Sequence, residues 1–251
     1  MKVKAIIVDL DRTLLHTDKM LSSYTVKVLN ECKKNGIKIM IATARPQRNT
    51  ASYCEMLDFD AVSASNGARI ICKDHYTEYG IAEESAKKLL SALCSYSDFR
   101  ITLETGNIAY SNKLIEDYET VVLEDLVSVA KSEGALKILV GIDRHDTLEI
   151  VKGVLTEDLY YTVANGRLIQ IMDKSATKWN GVKAMLEINN ISASEAIYFG
   201  DDHDDIEPIK NCGIGVAVSN GINDVKSIAD YIADSNDEDG VAKFIERMIL
   251  S

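Results

Sequence analysis

The chain has 251 residues, of which 46% are hydrophobic, so it can bury a substantial core as one large domain or two smaller ones. Its 39 acidic residues outnumber 28 basic ones, and the formal net charge of -11 argues against nucleic-acid or anionic-membrane partners. No apolar run approaches the roughly 20 residues of a membrane span, and the N-terminus does not resemble a signal peptide. We therefore expect a cytoplasmic protein with no nucleic-acid partner and no membrane partner.

The first third alternates between strand and helix patterns. Apolar segments with strand character flank segments whose apolar residues recur at helical spacing. A glycine that ends the first helix, followed by a second apolar strand, is typical of a βαβ unit with parallel neighbouring strands. The predicted elements are a strand at 4–10, a helix at 24–36, strands at 37–43 and 60–65, a short helix near 47–57 between them, and a turn at Asn66-Gly67.

The middle of the chain has a different pattern, which favours α+β structure over simple alternation. Its predicted elements are helices near 82–96 and 115–132, strands at 99–105, 108–112 and 137–143, and a hairpin over 160–173 that turns at Asn165-Gly166.

The last third returns to the first style, with a helix from Lys178 to Glu187 and apolar strands at 196–200 and 213–218. We therefore predict an α/β fold: a doubly wound, Rossmann-like parallel sheet core from 1–78 and 175–251, split by an inserted α+β cap domain at 79–174.

Polar residues follow the predicted parallel strands. Asp9 and Asp11 end the first strand, Thr43 ends the second, and the acidic run GDDHDD at 200–205 follows AIYFG. Lys178 stands at the start of the predicted helix that leads into that strand. Ligands of open parallel sheets bind beyond the carboxyl ends of the strands, so these side chains are expected to converge.

Convergent carboxylates suit Mg²⁺, which binds through one or two carboxylates, substrate phosphate and water. Thr43 could offer a hydroxyl and Lys178 a positive charge to the same phosphate. Taken singly, each feature has a simpler explanation: an Asp-rich turn, a solvated acidic loop, or ordinary surface and capping residues.

Taken in order, DLDRT (9–13), ATAR (42–45), Lys178 and GDDHDD (200–205) closely resemble the four motifs of the haloacid dehalogenase superfamily, in particular its Cof-like phosphatases. The segments SNGA (65–68), GIGVAVSNG (213–221) and DEDGVA (237–242) resemble further parts of that family. The family also places an α/β cap between its second and third motifs, so the resemblance covers the whole chain.

The resemblance implies a Mg²⁺-dependent phosphatase of small phosphorylated metabolites, such as sugar phosphates, that works through an aspartyl-phosphate. It implies that Asp9 is the nucleophile and Asp11 the general acid and base, while Thr43 and Lys178 bind phosphate. The metal would be held by Asp9, the backbone carbonyl of Asp11 and Asp201, with Asp205 contacting a metal-bound water.

This sequence departs from the family pattern at three positions. Arg12 and Ala44 stand where the family usually has glycine, and Asp204 stands where it usually has asparagine. An ionised Asp204 cannot donate a hydrogen bond to phosphate and would repel it.

Several alternatives stay open at this point. A phosphomutase uses the same aspartyl-phosphate, and a non-catalytic ligand-binding protein could use the same fold. Response-regulator receivers combine an acidic pair, Thr and Lys, but they are about half this length and contain no inserted cap. Halide-releasing chemistry fits Asp11 and the acidic cluster less well than phosphate chemistry does.

Overall fold

A computed structural model describes residues 3–73, 75–116, 118–164 and 166–250. Asn165, which was predicted to begin the turn of the 160–173 hairpin, lies outside the described residues. Within the described ranges, no helix has both the length and the apolar composition needed to cross a membrane.

The strands in chain order are β1 (Ala5–Val8), β2 (Lys38–Ala42), β3 (Ala61–Ala64), β4 (Arg69–Cys72), β5 (His75–Glu78), β6 (Ile101–Glu104), β7 (Ala109–Ser111), β8 (Val121–Val122), β9 (Lys137–Gly141), β10 (Leu159–Ala164), β11 (Leu168–Asp173), β12 (Ala196–Gly200), β13 (Ile214–Val218) and β14 (Tyr231–Ala233). The helices are α1 (Ser23–Lys34), α2 (Ala51–Met56), α3 (Glu83–Cys94), α4 (Leu126–Glu133), α5 (Thr147–Val154), α6 (Lys178–Ile188), α7 (Ile206–Asn211), α8 (Asn223–Ile228) and α9 (Gly240–Met248).

The chain forms two compact units. The first contains residues 1–45, 49–77 and 177–251, and the second contains 46–48 and 78–176.

The first unit is built on a sheet with the order β14-β13-β12-β1-β2-β3-β4-β5. The strands from β14 to β3 pair in parallel, whereas β4 runs antiparallel to β3. The doubly wound parallel core predicted from the sequence is confirmed, with the addition of an antiparallel edge.

Helices cover both faces of this sheet because successive strand residues point to opposite sides. Ile6 and Val8 face a core that includes apolar residues of α1 and α9. Ala5 and Ile7 face the other core, which receives residues of α6, α7 and α8. Strands buried on both faces explain the nearly continuous apolar run at the start of the sequence.

The second unit contains a sheet with the order β10-β11-β9-β6-β7-β8. Its hairpin β10–β11 is antiparallel, and β9 pairs antiparallel with both β11 and β6. One face of the sheet packs against a core that includes Leu89, Leu90 and Leu93 of α3. This unit is α+β, as its sequence pattern indicated.

The middle of the chain differs from its sequence prediction at the start of α4 and at α5, a helix that was not predicted. A helix was expected over 115–132, but α4 begins only at Leu126, and Val121–Val122 pair with β7 as a short strand. The Asp125 side chain caps α4 by accepting a hydrogen bond from the Ser128 backbone N–H, which fixes the later start.

Candidate active site

Asp9 lies immediately after β1 and is buried, with its backbone N–H donating to the Phe199 carbonyl of β12. The chain then turns, since the backbone N–H groups of Leu14 and Leu15 both donate to the Leu10 carbonyl. Asp11 therefore leaves the strand direction and is only partly buried. The two carboxylates stand in different environments, a distinction that strand periodicity alone could not supply.

Lys178 is the first residue of α6 and is buried. Its Nζ donates to Asp9 Oδ1 at 2.9 Å and to Asp205 Oδ1 at 2.7 Å. Thr177 caps this helix by accepting a hydrogen bond from the Asn180 backbone N–H. Burial alone would lower the pKa of Lys178, but the carboxylates of Asp205 and Asp9 outweigh it and raise that pKa, so the ammonium is charged.

Asp205 accepts four hydrogen bonds, two at each carboxylate oxygen. Lys178 Nζ and the Tyr198 hydroxyl, at 2.6 Å, donate to Oδ1, while the backbone N–H groups of Asp201 and Asp202 donate to Oδ2, both at 3.0 Å. This uses the full capacity of about four acceptor positions on a carboxylate. Asp205 thus connects α6 to the loop after β12. The contribution of Tyr198 was not predicted, because in the sequence it is simply one residue of an apolar strand.

Asp9, Asp201 and Asp205 form a buried carboxylate cluster whose nearest oxygens all lie within 4.8 Å of one another. Burial, Asp205 and Asp201 raise the pKa of Asp9 to about 8, against the opposing effect of Lys178. Burial and Asp205 raise the pKa of Asp201 to about 6. Carboxylates crowded in this way favour a bound cation, and oxygen donors of this kind suit Mg²⁺.

The Asp11 carboxylate is held by two cations. Arg45 donates to both of its oxygens, from Nε at 2.6 Å and from Nη2 at 2.7 Å, and Lys19 Nζ donates to Oδ1 at 2.7 Å. Burial would raise the pKa of Asp11, but hydrogen bonds from Arg45 and Lys19 outweigh it and lower that pKa to about 2. In this arrangement Asp11 is ionised and paired.

Thr43 follows β2, beside β1 in the sheet, and is buried. Its hydroxyl oxygen accepts from the Arg45 backbone N–H at 3.2 Å, and its carbonyl accepts from the Asn66 backbone N–H at 3.0 Å. Asn66 in turn donates from Nδ2 to Asp204 Oδ2 at 2.6 Å. The carboxylate that replaces the family's asparagine therefore has an amide partner on the loop after β3.

Lys178, Asp9, Asp201 and Asp205 are thus brought into contact or close proximity, as the positions of the strand ends indicated. Thr43 lies at the carboxyl end of the neighbouring strand, and Asp11 faces Arg45 and Lys19. The assignment of catalytic, phosphate-binding and metal-binding roles to these six residues stays a prediction.

The side chains Arg144 and Tyr161 of the second unit are occupied by structural contacts. Arg144 pairs with Asp146 and Asp98, and Tyr161 packs against the apolar core beneath the helices. The opposite face of this sheet carries buried polar residues instead, including Glu104 and Lys137. Ile138 and Val140 of β9 face the apolar core, and successive strand residues point to opposite faces. The alternation along β9 therefore indicates in the sequence that Lys137 lies on the polar face.

The chain resembles known proteins over nearly its whole length. A family model described as haloacid dehalogenase-like hydrolase matches residues 6–245. The chain is 26% identical to 5-amino-6-(5-phospho-D-ribitylamino)uracil phosphatase YitU of Bacillus subtilis over 96% of each chain. It is also 27% identical, over 98% of its own length, to the chloroplastic endoribonuclease YBEY of Arabidopsis thaliana, but it spans only 46% of that longer protein.

Among solved structures, the subclass IIB sugar phosphatase BT4131 superposes with a TM-score of 0.82 at 22% identity, covering 98% of each chain. That likeness establishes the same fold. Because the family match extends over nearly the whole sequence and includes every residue of the carboxylate cluster, the chain belongs to the haloacid dehalogenase-like hydrolases.

Proposed function

We propose that this protein is a Mg²⁺-dependent phosphatase that hydrolyses small phosphorylated metabolites, such as sugar phosphates, through an aspartyl-phosphate on Asp9. The observation that carries the proposal is the buried Lys178 ammonium, which bridges Asp9 and Asp205 beside the third carboxylate, Asp201. A nucleophilic carboxylate held by a fixed cation and next to a metal-binding cluster suits phosphoryl transfer. The phosphatase name of the YitU relative supports the same reaction class.

In the first step, an Asp9 carboxylate oxygen forms a bond to phosphorus as the bond from phosphorus to the substrate oxygen breaks. Asp11 gives its proton to that departing oxygen, which leaves as an alcohol. In the second step, Asp11 takes a proton from water, whose oxygen attacks phosphorus and releases inorganic phosphate from Asp9. Both residues return to their starting states, so each turnover consumes one water.

Lys178 and Thr43 stabilise the transferring phosphoryl group, the lysine through its charge and the threonine through its hydroxyl. Asp9, Asp201 and the backbone carbonyl of Asp11 would hold Mg²⁺, with Asp205 close by. When bound, the ion supplies positive charge that offsets the negative charge on the phosphoryl oxygens.

Proton donation imposes a condition on Asp11. Its carboxylate is ionised while Arg45 and Lys19 both donate to it. The hydrogen bonds from these two cations hold the pKa of Asp11 at about 2, so Asp11 must lose at least one of them before it can carry a proton near neutral pH.

We further propose that the second unit selects the substrate through the face of its sheet that lies opposite the apolar core. There Arg48 donates to both oxygens of Glu104, one contact at 2.6 Å and the other at 3.1 Å, and the Tyr118 hydroxyl also contacts Glu104. Lys137 Nζ donates to Gln170 at 3.0 Å. Donors and acceptors fixed on a rigid sheet are suited to recognising the hydroxyl groups of a small polar metabolite.

The deciding experiment is phosphate release from a panel of phosphorylated sugars and nucleotide precursors, with Mg²⁺ and with a chelator. We expect release that requires Mg²⁺ and differs strongly among substrates. Isomerised sugar phosphate without free phosphate would indicate a mutase instead. Binding of the panel without any turnover would indicate a ligand-binding protein.

A further inference from the structure

Arg12 has an unusual backbone conformation for an arginine. It lies in the turn after β1, between Asp11 and Thr13, with φ of 63°. Residues other than glycine, asparagine and aspartate rarely adopt this left-handed conformation. Position 12 thus carries an arginine although its backbone conformation favours glycine.

Hydrogen bonds with Asn220 hold Arg12 in place from two directions. Arg12 Nη2 donates to the Asn220 carbonyl at 3.3 Å, and Asn220 Nδ2 donates to the Arg12 carbonyl at 2.7 Å. Asn220 is itself fixed, because its side-chain oxygen accepts from the backbone N–H of Asn236 at 2.9 Å. Asn236 is buried and donates from Nδ2 to the Leu15 carbonyl. These hydrogen bonds through Asn220 and Asn236 set the direction of the Arg12 guanidinium.

That direction brings the guanidinium to the carboxylate cluster. Arg12 Nε lies 3.8 Å from Asp201 Oδ2, while the other oxygen, Oδ1, accepts from the Thr13 hydroxyl at 3.1 Å. The Asp201 side chain is only 5% exposed, whereas that of Arg12 is 56% exposed. A positively charged group from the solvent side therefore neighbours one of the three carboxylates that would bind a cation.

We propose that Arg12 is a resident counter-cation of the carboxylate cluster that weakens its binding of Mg²⁺. The positive charge of the guanidinium repels an entering divalent cation and partly neutralises Asp201, which would otherwise attract it. The protein consequently requires a higher free Mg²⁺ concentration than it would with an uncharged residue at position 12. The identity of the metal rests on the proposed function.

The test is calorimetric titration of the full-length protein with Mg²⁺ in the absence of substrate, at pH 8 and low ionic strength. We expect Arg12→Gln to lower the Kd for Mg²⁺ about three- to tenfold, the range expected from one partly solvent-screened charge near a divalent ion. The difference should shrink as salt is added. Arg12→Gly, which also relieves the steric cost of the left-handed backbone conformation, should tighten binding similarly and provides a second variant if the first folds poorly.

Two controls separate charge from other effects. Arg12→Lys keeps the charge, so its Kd should stay within about twofold of the wild-type value. Lys38→Gln removes one positive charge at the start of β2, about 15 Å along the strand from the end that carries Thr43, and should change the Kd by no more than about twofold.

Each outcome has a distinct meaning. Equal Kd values for wild type, Arg12→Gln and Arg12→Gly would overturn the proposal, and so would equal tightening by Arg12→Lys. Tightening by Lys38→Gln as large as that by Arg12→Gln would also overturn it, because net charge alone would then explain the effect. If the wild-type protein and the neutral variants all fail to bind Mg²⁺, the proposed metal-dependent function itself fails.

Discussion

At the scale of single residues, Asp205 shows how a buried charge is stabilised. Four donors surround its carboxylate, and one of them is the hydroxyl of the fully buried Tyr198. A buried ionised group is costly unless it is paired and fully hydrogen-bonded. Tyr198 therefore contributes directly to holding Asp205 and, through it, Lys178.

We expect Tyr198→Phe to lower the free energy of unfolding by about 1–3 kcal/mol, because it removes one donor from a buried carboxylate and leaves the shape unchanged. The matched control is Tyr24→Phe. At this exposed site the Tyr24 hydroxyl donates to Glu246 Oε2 at 2.8 Å. That change should cost less than about 0.5 kcal/mol. Urea unfolding of both variants measures the difference, and equal losses would contradict this role of burial.

The proposed nucleophile has a direct test. Asp9→Asn should abolish turnover while the fold is retained, because an amide has nearly the same shape but is a poor nucleophile. Asp58→Asn, at a fully solvent-exposed side chain, serves as the control and should be as active as wild type. Steady-state kinetics, with a substrate whose hydrolysis requires Mg²⁺, measures the turnover of both variants and of wild type. Activity of Asp9→Asn within about tenfold of wild type would exclude Asp9 as the nucleophile.

At the scale of elements, the position of Lys178 depends on how closely α6 approaches the loop after β3. A Cβ atom added at Gly67 would lie 2.1 Å from the carbonyl oxygen of Thr177, the capping residue of α6. Gly67 also has φ of 93°, which disfavours any side chain. Glycine is thus required here both for its conformation and for its lack of a Cβ.

Gly67→Ala should lower the free energy of unfolding by about 2–4 kcal/mol, since the clash adds to the backbone strain. Gly36→Ala is the matched control, because Gly36 has φ of 78° but no atom of the described residues lies within 4 Å of an added Cβ. It should cost only about 1 kcal/mol, the cost of the left-handed conformation alone. Thermal unfolding of the two variants compares them, and equal costs would mean that α6 shifts freely to relieve the clash.

The parts of the fold that the sequence predicted well are those where burial and chain order act together. Apolar strands buried on both faces produce unbroken runs such as AIIV, and the glycine after α1 marks a stop. Lys178, Asp9 and Asp201 were placed together because parallel strands end at one edge of a sheet. These inferences needed only local patterns and topology.

The parts that escaped prediction depend on contacts between distant residues. The helix pattern over 115–125 failed because Val121 and Val122 pair with β7, a choice that the local sequence does not reveal. The eight-residue helix α5 begins at Thr147 without a side-chain cap hydrogen bond, so its sequence signal was weak. The pairing of Asp11 with Arg45 and Lys19 likewise depends on how two loops are oriented.

At the scale of the whole molecule, the carboxylate cluster links stability to pH and metal. The pKa of Asp9 is raised to about 8 and that of Asp201 to about 6, so the folded, metal-free protein retains protons that the unfolded chain has lost. The stabilisation from these groups is present below about pH 4 and is lost as pH rises to about 8. Asp11 acts in the opposite sense, since its lowered pKa of about 2 contributes stability that is lost on acidification below about pH 4.

We therefore expect Mg²⁺ to raise the melting temperature more at pH 8 than at pH 5, because protons compete with the ion for Asp9 and Asp201 at the lower pH. Differential scanning calorimetry at both values, with Mg²⁺ or a chelator, measures this. Calorimetric titration in buffers of different ionisation enthalpy should show proton release on Mg²⁺ binding near pH 7. A Mg²⁺ effect that is larger at pH 5 would contradict the link between the cluster and the metal.

The carboxylate cluster, Lys178 and Tyr198 all come from the first compact unit, although their positions in the chain lie on both sides of the 78–176 insertion. Substitutions within the insertion therefore change none of the residues that form the cluster. If the second unit selects the substrate, mutations in the segment that encodes it can change substrate preference. The reactive groups are encoded outside that segment and stay unchanged. Libraries randomised at the polar sheet face of the second unit would sample such preferences without mutating a single group assigned to the chemistry.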